Sequence, residues 1–224
     1  MNDMSSRGHF ITIEGGEGSG KSTLLHSLAA HLSAAGYDVV QTREPGGSKL
    51  GEFIRGWLLD HDDSVKIGKE AELLLFLAAR AQHIEEKICP AIESGKIVLC
   101  DRFNDSTIAY QGAARGLTRE FVTDLCFKVC GKTVPELTFF LDVDPEVGLK
   151  RTYRLQKESA ASGKFDRIES ETLSFHQRVQ KAFQDLARLE PQRIYRLDAN
   201  RSQAEVLEET LRLLESHLSF QVIQ

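Results

Sequence analysis

The chain has 224 residues, of which 41% are hydrophobic, and a formal net charge of −5. This length suits one domain, and the hydrophobic fraction is high enough to fill a sizeable core. The negative balance excludes proteins that gather nucleic acid by their overall field, so bound phosphate must be held by local cations and backbone N–H groups.

The sequence pattern predicts a cytoplasmic protein. No apolar run reaches the roughly 18 residues of a membrane span, and the N-terminal MNDMSSRG is too polar for a signal peptide. The cysteines carry no zinc-site spacing, which favours free thiols in a reducing compartment. Cys126 and Cys130 lie one helical turn apart, and we interpret them as small buried helix residues rather than half of a metal site.

Short apolar runs alternate along the chain with longer segments of helical periodicity. Strands are predicted near 9–14, 38–42, 97–100, 137–142 and 193–197. Helices are predicted near 20–35, 49–60, 69–94, 104–112, 118–130, 145–158, 170–190 and 202–218. Pro90 is expected to bend or interrupt the third helix. The alternation predicts an α/β fold of three layers over residues 1–224, with a five-stranded parallel sheet between helices.

The stretch FITIEGGEGSGKSTLL (10–25) predicts a phosphate-binding loop between the first strand and the first helix. Gly15-x-x-x-x-Gly20-Lys21-Ser22 is the Walker A pattern, in which glycines let backbone N–H groups converge on phosphate oxygens. Lys21 is expected to reach the β- and γ-phosphates, and the Ser22 hydroxyl to bind Mg²⁺. The loop that would hold ATP comprises Gly15, Gly16, Glu17, Gly18, Ser19, Gly20, Lys21, Ser22 and Thr23.

A nucleoside triphosphate site leaves two classes of function open. One is a switch or motor that hydrolyses the nucleotide, and the other is a kinase that passes the γ-phosphoryl group to a second substrate. A guanine-specific switch needs an Asn-Lys-x-Asp motif, and the sequence has none. A kinase needs a second site with its own cations and recognition groups.

Candidates for the second site follow the predicted second strand. The stretch TREPGGSKLGEFIR (42–55) contains a tight Pro-Gly-Gly turn flanked by Arg43 and Arg55. In the helical stretch 72–87, Arg80 comes four residues after Phe76, which places ring and guanidinium on one face. Stacking on a base and reading its carbonyl would use such a pair. The alternative is a core Phe and a surface Arg.

The stretch DRFNDSTIAYQGAARG (101–116) adds further polar groups to this site. Arg102 ends a predicted strand, where a substrate phosphate would lie, and Asp101 precedes it. Because ligands of open α/β sheets bind beyond the carboxyl ends of the strands, both fall on the same edge as the phosphate loop. One helical face, at i, i+3 and i+4, carries hydrogen-bonding groups, namely Thr107, Tyr110 and Gln111.

The segment 151–169 differs in composition from its surroundings. It is basic and polar, with Ala-Ala-Ser-Gly in its middle. A flexible charged excursion between two helices is a candidate mobile lid over the phosphates. The alternative is an ordinary solvated helix end and loop.

Six stretches in this order resemble the bacterial thymidylate kinase family, which phosphorylates dTMP. The resemblance spans about residues 9 to 218, and Phe103 is one departure, where many members have Tyr or His. The stretches are FITIEGGEGSGKST, TREPGG, LLLFLAAR, VLCDRFNDSTIAYQG, LTFFLDVDPEVGLKR and DRIE. The resemblance implies a P-loop kinase fold, the substrates ATP and dTMP, Mg²⁺, and a homodimer.

The resemblance also implies roles in the acceptor site. Glu17 would face the sugar and phosphate of the acceptor nucleotide. Arg43, Arg55 and Arg102 would surround the acceptor phosphate. The base site would comprise Phe76 stacked on thymine, Arg80 donating to a thymine carbonyl, Thr107 and Gln111 at the base edge, and Tyr110 crowding the sugar 2′ position.

On the donor side, the resemblance implies that Arg151 and the DANRS stretch (198–202) border the adenine. Asp101 would hold Mg²⁺ together with Ser22, through water. Because Glu17 stands in the loop, an arginine spanning both phosphates must come from elsewhere, and we expect Arg154 or Arg167 of the lid to act in this way. Two alternatives stay open: a nucleoside monophosphate kinase for another base, and an ATP-binding regulatory module without phosphoryl transfer.

Overall fold

Five parallel strands form a sheet that lies between two layers of helices. The computed structural model describes residues 7–59, 66–158 and 166–218. The strand order is β2-β3-β1-β4-β5. The strands are β1 (Phe10–Gly15), β2 (Val39–Arg43), β3 (Ile97–Asp101), β4 (Leu137–Asp142) and β5 (Ile194–Asp198). The predicted strands and the three-layer α/β fold are confirmed.

Helical structure occurs in all eight predicted regions, and π-helical segments interrupt two of them, those predicted near 69–94 and 104–112. The helices are α1 (Lys21–Ala34), α2 (Lys49–Leu59), α3 (Lys69–His83), α4 (Cys89–Glu93), α5 (Asn104–Thr107), α6 (Arg119–Cys130), α7 (Pro145–Glu158), α8 (Leu173–Leu189) and α9 (Gln203–Leu218). The π-helical segments are Ile84–Ile88 and Ile108–Ala114. None of the helices in the described ranges combines the length and apolar character needed to cross a bilayer.

The inner strands β1, β3 and β4 are buried along nearly their whole length, as their largely apolar sequences predict. On one face, Ile11 and Ile13 of β1 share a buried cluster with Leu28 of α1 and Leu214 of α9. On the other face, the ring of Phe140 in β4 stacks on the ring of Phe183 in α8, with centroids 5.1 Å apart. Alternate residues of each strand therefore anchor opposite helical layers.

The long third helix changes its hydrogen-bonding pattern just before Pro90, as predicted. The α-helical pattern of α3 gives way to the π-helical segment Ile84–Ile88, and Pro90 then lies in the first turn of α4. Proline has no N–H, and its ring crowds the carbonyl four residues earlier, here that of Glu86. That carbonyl lies within the wider π turn, where the α-helical bond is not required.

The helix predicted near 104–112 is only partly α-helical. It begins as the short helix α5 and continues as the π-helical segment Ile108–Ala114. The N–H of Arg115 donates to the carbonyl of Tyr110 at 2.9 Å, and this hydrogen bond continues the i→i+5 pattern. Such segments are rare and occur often at functional sites.

The cysteines are free thiols, and two of them lie in α6. Cys126 and Cys130 are 2% and 4% exposed, which confirms their interpretation as buried helix residues. Burial raises the pKa of Cys126 to about 11, so its thiol stays protonated at neutral pH.

The strands β1, β2 and β3 end side by side and so bring three loops to one edge of the sheet. Ile13 pairs with Asp101 of β3, which pairs in turn with Arg43 of β2. The phosphate loop, the Pro-Gly-Gly turn and the segment after β3 follow directly from these strand ends. This edge is where open α/β sheets bind their ligands.

A buried carboxyl group fastens the segment after β3 to β1. Glu14 is completely buried, and its two oxygens lie 2.7 Å from the backbone N of Phe103 and 2.6 Å from Oγ of Ser106. Burial and the charge of Asp105 raise the pKa of Glu14 to about 8, although Ser106, Arg102 and Phe103 offset part of the rise. We therefore expect the Glu14 carboxyl to hold its proton at neutral pH.

This protonation predicts a pH dependence of stability. Because the folded-state pKa of Glu14 lies above its ordinary value of 4.5, its contribution is complete below pH 4.5 and is lost as the pH rises through 8. Glu14→Gln keeps the shape of the neutral group without titrating. We expect its free energy of unfolding, relative to wild type, to increase by about 1 kcal/mol per pH unit between pH 5 and 8.

Urea unfolding at pH 5, 6.5 and 8 measures this difference. Glu93→Gln, at the exposed end of α4, is the control and should change the free energy of unfolding by under about 0.5 kcal/mol. A difference between Glu14→Gln and wild type that stays constant with pH would mean that Glu14 is ionised in the folded protein.

Candidate active site

The phosphate loop folds around the ammonium group of Lys21. The Nζ atom donates to the carbonyl of Gly16 at 2.8 Å, and the Oγ of Ser19 donates to the same carbonyl at 2.8 Å. Gly18 has a φ of +64°, and a Cβ there would lie 2.0 Å from the carbonyl oxygen of Gly148. Burial lowers the pKa of Lys21, and the nearby Arg102 lowers it further. The loop thus holds a partly desolvated cation beside its backbone N–H groups.

The side chains expected to bind Mg²⁺ lie next to each other. The hydroxyl of Ser22, in the first turn of α1, donates to Oδ2 of Asp101 at the end of β3, at 3.1 Å. Among the described residues, no three His, Cys, Asp or Glu side chains gather as metal ligands. A Mg²⁺ ion held by one carboxylate, a hydroxyl, waters and substrate phosphates needs no such cluster.

Arg102 connects the phosphate loop to the second site. Its φ of +71° is uncommon for a residue with a side chain. The guanidinium donates to the carbonyl of Gly15 (3.0 Å), to Oγ of Ser106 (3.2 Å) and to Oε1 of Glu17 (2.7 Å). It also lies over the ring of Tyr110, 4.9 Å from the centroid. One side chain therefore contacts groups on both sides of the site.

Glu17 is ionised between these cations. Burial alone would raise the pKa of Glu17, but the charges of Arg102 and Lys21 outweigh it and bring the pKa to about 2. The hydroxyl of Tyr110 donates to Oε1 of Glu17 at 2.9 Å, and burial raises the pKa of that hydroxyl well above its ordinary value. The tyrosine therefore remains a hydrogen-bond donor at neutral pH.

Arg80 is buried rather than on the surface. It is 2% exposed, and its Nε donates to Oε2 of Glu44 at 2.7 Å, while Nη1 donates to Oδ1 of Asn104 at 2.8 Å. Its guanidinium lies over the ring of Phe103, 4.8 Å from the centroid. The half-buried Phe76 lines the same cavity. The core-Phe and surface-Arg alternative is therefore wrong for Arg80.

One cavity of about 700 Å³ runs from the phosphate loop to Arg80. Sixteen of the predicted site residues line it, namely Glu17, Gly18, Ser19, Gly20, Lys21, Ser22, Thr23, Arg43, Arg55, Phe76, Arg80, Asp101, Arg102, Thr107, Tyr110 and Gln111. The structure thus brings the predicted donor loop and the predicted acceptor groups into one space.

Five predicted site residues do not line this cavity. Gly15 and Gly16 belong to the phosphate loop, and their carbonyls accept hydrogen bonds from Arg102 and Lys21. The remaining three are Arg151, Arg154 and Arg167. Arg151 donates from Nη1 to the carbonyl of Ala199 at 3.0 Å, which places it beside the 198–202 stretch predicted to border the adenine.

The ends of the predicted lid border the cavity, but Arg167 is bound elsewhere. Its Nη2 lies 2.6 Å from Oε2 of the buried Glu72, and its Nε donates to the carbonyl of Leu58 at 2.9 Å. The exposed Arg154 lies on α7. The lid residues Gly163 and Lys164, which we expect to provide freedom of movement and a second cation, lie outside the described residues.

Eleven further residues line the cavity without having been named among the predicted site residues, although six of them belong to the predicted lid (151–169). The three lining residues on α7, Thr152, Leu155 and Gln156, have the i, i+3, i+4 spacing of one helical face. That spacing is a sequence signal that could have identified them. The unassigned residues are Glu44, Pro45, Leu59, Phe103, Ser106, Thr152, Leu155, Gln156, Asp166, Ile168 and Glu169. Those after β2 and β3 are close to predicted site residues in the sequence.

Comparisons with known proteins agree with this geometry. The family model described as Thymidylate kinase matches residues 13–210. A protein named thymidylate kinase from Protochlamydia amoebophila (strain UWE25) is 62% identical over 213 residues, which cover 95% of each chain. A protein also named thymidylate kinase, from Chlamydia muridarum (strain MoPn / Nigg), is 52% identical over 192 residues, which cover 85% of this chain and 90% of that one.

A solved structure is similar over nearly the whole chain. The crystal structure of thymidylate kinase from Ehrlichia chaffeensis superposes with a TM-score of 0.72 at 34% identity. The match covers 93% of this chain and 99% of that one. Similarity in sequence and in structure therefore points to the same family.

Proposed function

The chain belongs to the thymidylate kinase family, and we propose that it transfers the γ-phosphoryl group of ATP to dTMP, forming ADP and dTDP for dTTP synthesis. One observation carries the proposal. A single cavity of about 700 Å³ has the phosphate loop on one side and an aromatic–arginine pair, Phe76 and Arg80, on the other. A nucleotide on each side would bring donor and acceptor phosphates together between Lys21 and Arg102.

The donor phosphates would be held by the loop N–H groups and by Lys21. Phosphoryl transfer spreads negative charge over the transferred group, so catalysis consists of positioning and charge neutralisation. The acceptor phosphate is already an anionic nucleophile and needs no strong general base. Arg102 lies within hydrogen-bonding distance of both the loop carbonyl of Gly15 and the Glu17 carboxylate, which suits a cation between the two nucleotides.

Mg²⁺ fits the oxygen donors at the start of α1. We propose that Ser22 binds it directly and Asp101 through water, since a hydroxyl and a carboxylate 3.1 Å apart are hard oxygen ligands of the kind the ion prefers. When bound, Mg²⁺ would neutralise charge on the β- and γ-phosphate oxygens.

The acceptor nucleotide would be recognised by the other half of the cavity. Phe76 would stack on thymine, and Arg80 would donate to a thymine carbonyl. Gln111 donates from Nε2 to Oε1 of Glu72 at 2.8 Å, which leaves its amide oxygen for the base edge beside Thr107. Tyr110, fixed by its bond to Glu17, would exclude a ribose 2′-hydroxyl. The phosphate of the acceptor nucleotide would lie among three cations, Arg43, Arg55 and Arg102.

A coupled assay of ADP formation with ATP and Mg²⁺ tests the function. We expect turnover with dTMP to exceed that with dUMP, dCMP and AMP. Lys21→Ala should lower kcat by about 10²-fold or more, because charge developing on the phosphates loses a preorganised donor. Another preferred acceptor would support a kinase for a different base. Tight dTMP binding without dTDP would support a regulatory module, and near-normal turnover in Lys21→Ala would contradict the donor site.

We propose that the lid (about residues 151–169) supplies a further cation to the phosphates, with Arg154 favoured over Arg167. Thr152 and Leu155, which flank Arg154 on α7, line the cavity, so this helix borders the reaction space. Arg167 is paired with Glu72, a buried carboxylate that does not line the cavity. Closure of the lid would also exclude water, which would otherwise hydrolyse ATP.

Single-turnover transfer at saturating ATP and dTMP tests the lid. Arg154→Ala should lower the rate by about 10³-fold, the lower end of what arginine fingers contribute. Arg167→Ala should mainly lower stability, and Lys150→Ala, an exposed cation on the same helix, is the control. A fall below tenfold in both arginine variants would contradict the lid proposal and leave catalysis to Lys21, Mg²⁺ and Arg102.

We propose that the protein forms a homodimer through α2 and α3. Leu50, Phe53 and Trp57 form a stripe along α2 and are 47%, 64% and 65% exposed. Leu74 on the adjoining α3 is 57% exposed. Large apolar side chains grouped in this way mark protein interfaces, and a two-fold dimer would pair the stripe with its own copy.

The free cysteines support a cytoplasmic location, which we also propose.

Sedimentation velocity tests the homodimer. We expect wild type to sediment at twice the chain mass, and Phe53→Glu/Trp57→Glu at the chain mass, because charges at the contact cannot be buried without partners. Leu189→Glu, at an exposed apolar position at the end of α8, is the control and should remain dimeric. A double variant that stays dimeric would place the interface elsewhere.

A further inference from the structure

We infer that His83 is a positioning residue for base recognition: it fixes the carboxylate of Glu44, which in turn fixes the guanidinium of Arg80. The inference rests on the proposed function, in which Arg80 addresses the base. His83 is completely buried and is not among the residues that line the cavity. It therefore acts on the ligand only through the side chains that it holds.

A continuous chain of short contacts connects the end of β2 to Arg80. The Oγ1 of Thr42 lies 2.7 Å from Nε2 of His83, and Nδ1 of His83 lies 2.9 Å from Oε1 of Glu44. The other carboxylate oxygen, Oε2, accepts from Nε of Arg80 at 2.7 Å. Since a carboxylate only accepts, Nδ1 of His83 carries the proton in this contact. Each oxygen of Glu44 has its own donor, so the carboxylate cannot turn without losing one.

This arrangement determines the direction of the Arg80 fork. Nε is held by Glu44 and Nη1 by Asn104, and the planar guanidinium then has no freedom to rotate. Within the described ranges, no hydrogen bond uses Nη2, and Arg80 lines the cavity. Nη2 is thus the donor available to a base carbonyl. Glu44 is only 5% exposed, so without its second donor it would be a partly unsatisfied buried anion.

The same imidazole packs against the Pro-Gly-Gly turn. A Cβ on Gly47, whose φ is +77°, would lie 2.3 Å from both Cδ2 and Nε2 of His83. The same turn holds Arg55, because the carbonyl of Pro45 accepts a hydrogen bond from Nη1 of Arg55 at 3.0 Å. Gly47 is therefore required both by its backbone conformation and by the ring of His83 beside it.

The test compares His83→Leu with His83→Asn, whose amide can replace the Nδ1 donor to Glu44. Titration calorimetry with thymidine measures the base site without phosphate and without turnover. We expect His83→Leu to raise the Kd of thymidine and the KM of dTMP by about tenfold, with the KM of ATP within twofold of wild type. His83→Asn should recover most of the loss.

His9→Leu is the matched control, because His9 also pairs with a carboxylate, Glu136, at 2.7 Å, and neither residue lines the cavity. It should leave the thymidine Kd unchanged. Thr42→Val, which removes the hydroxyl beside Nε2, should raise that Kd by about 2- to 5-fold and serves as the test if His83→Leu does not fold.

Unchanged thymidine binding in the folded variants would overturn the inference. Equal losses of dTMP and ATP affinity in His83→Leu and His83→Asn would also overturn it, since they would show a general packing role. Weakened thymidine binding together with a wild-type protein that forms no dTDP would uphold the positioning of Arg80 and reject the proposed kinase activity.

Discussion

The contact between Arg102 and Glu17 holds together the two halves of the cavity. The guanidinium reaches Oε1 of Glu17 at 2.7 Å and the carbonyl of Gly15 at 3.0 Å, so it is bonded to the phosphate loop at two points. Its bond to Ser106 and its stacking on Tyr110 attach the same cation to the acceptor side. Neither half can shift without disturbing the other. The positive φ of Arg102 is a local cost that these bonds offset.

Arginines paired with buried carboxylates recur elsewhere in the fold, and one such pair, Arg80 and Glu44, lines the cavity. Arg80 pairs with Glu44, and Arg193 makes two 2.8 Å hydrogen bonds to Asp105. Glu72 accepts a hydrogen bond from Gln111 and pairs with Arg115 and Arg167. Taking both charges out of water is costly, so such pairs are weak evidence for stability. They do fix direction, because the planar fork allows few orientations. A preorganised site gains from that rigidity, since its donors need no reorganisation when charge develops.

The sequence predicted the strand, loop and helix around the phosphate loop, because their geometry is local. The Walker pattern specifies strand, loop and helix within 16 residues, and largely apolar runs such as IVLC (97–100) indicate strands buried on both faces. The π-helical segment Ile108–Ala114 was not predictable, since α and π patterns differ in hydrogen bonding rather than in residue type. The burial of Arg80 was also missed, because its partner Glu44 lies 36 positions away in the sequence. Such pairing depends on how β2 and α3 are brought together.

This difference between local and long-range structure has a consequence for specificity. The phosphate loop is built by consecutive residues, whereas two side chains proposed for the acceptor site depend on partners from other elements, Arg80 on Glu44 and Gln111 on Glu72. Changes in those partners can alter which base is accepted while the ATP loop keeps its shape. Arg102 is the exception, because it bonds to both halves. A substitution there should affect donor and acceptor together, whereas one behind Arg80 should affect the acceptor alone.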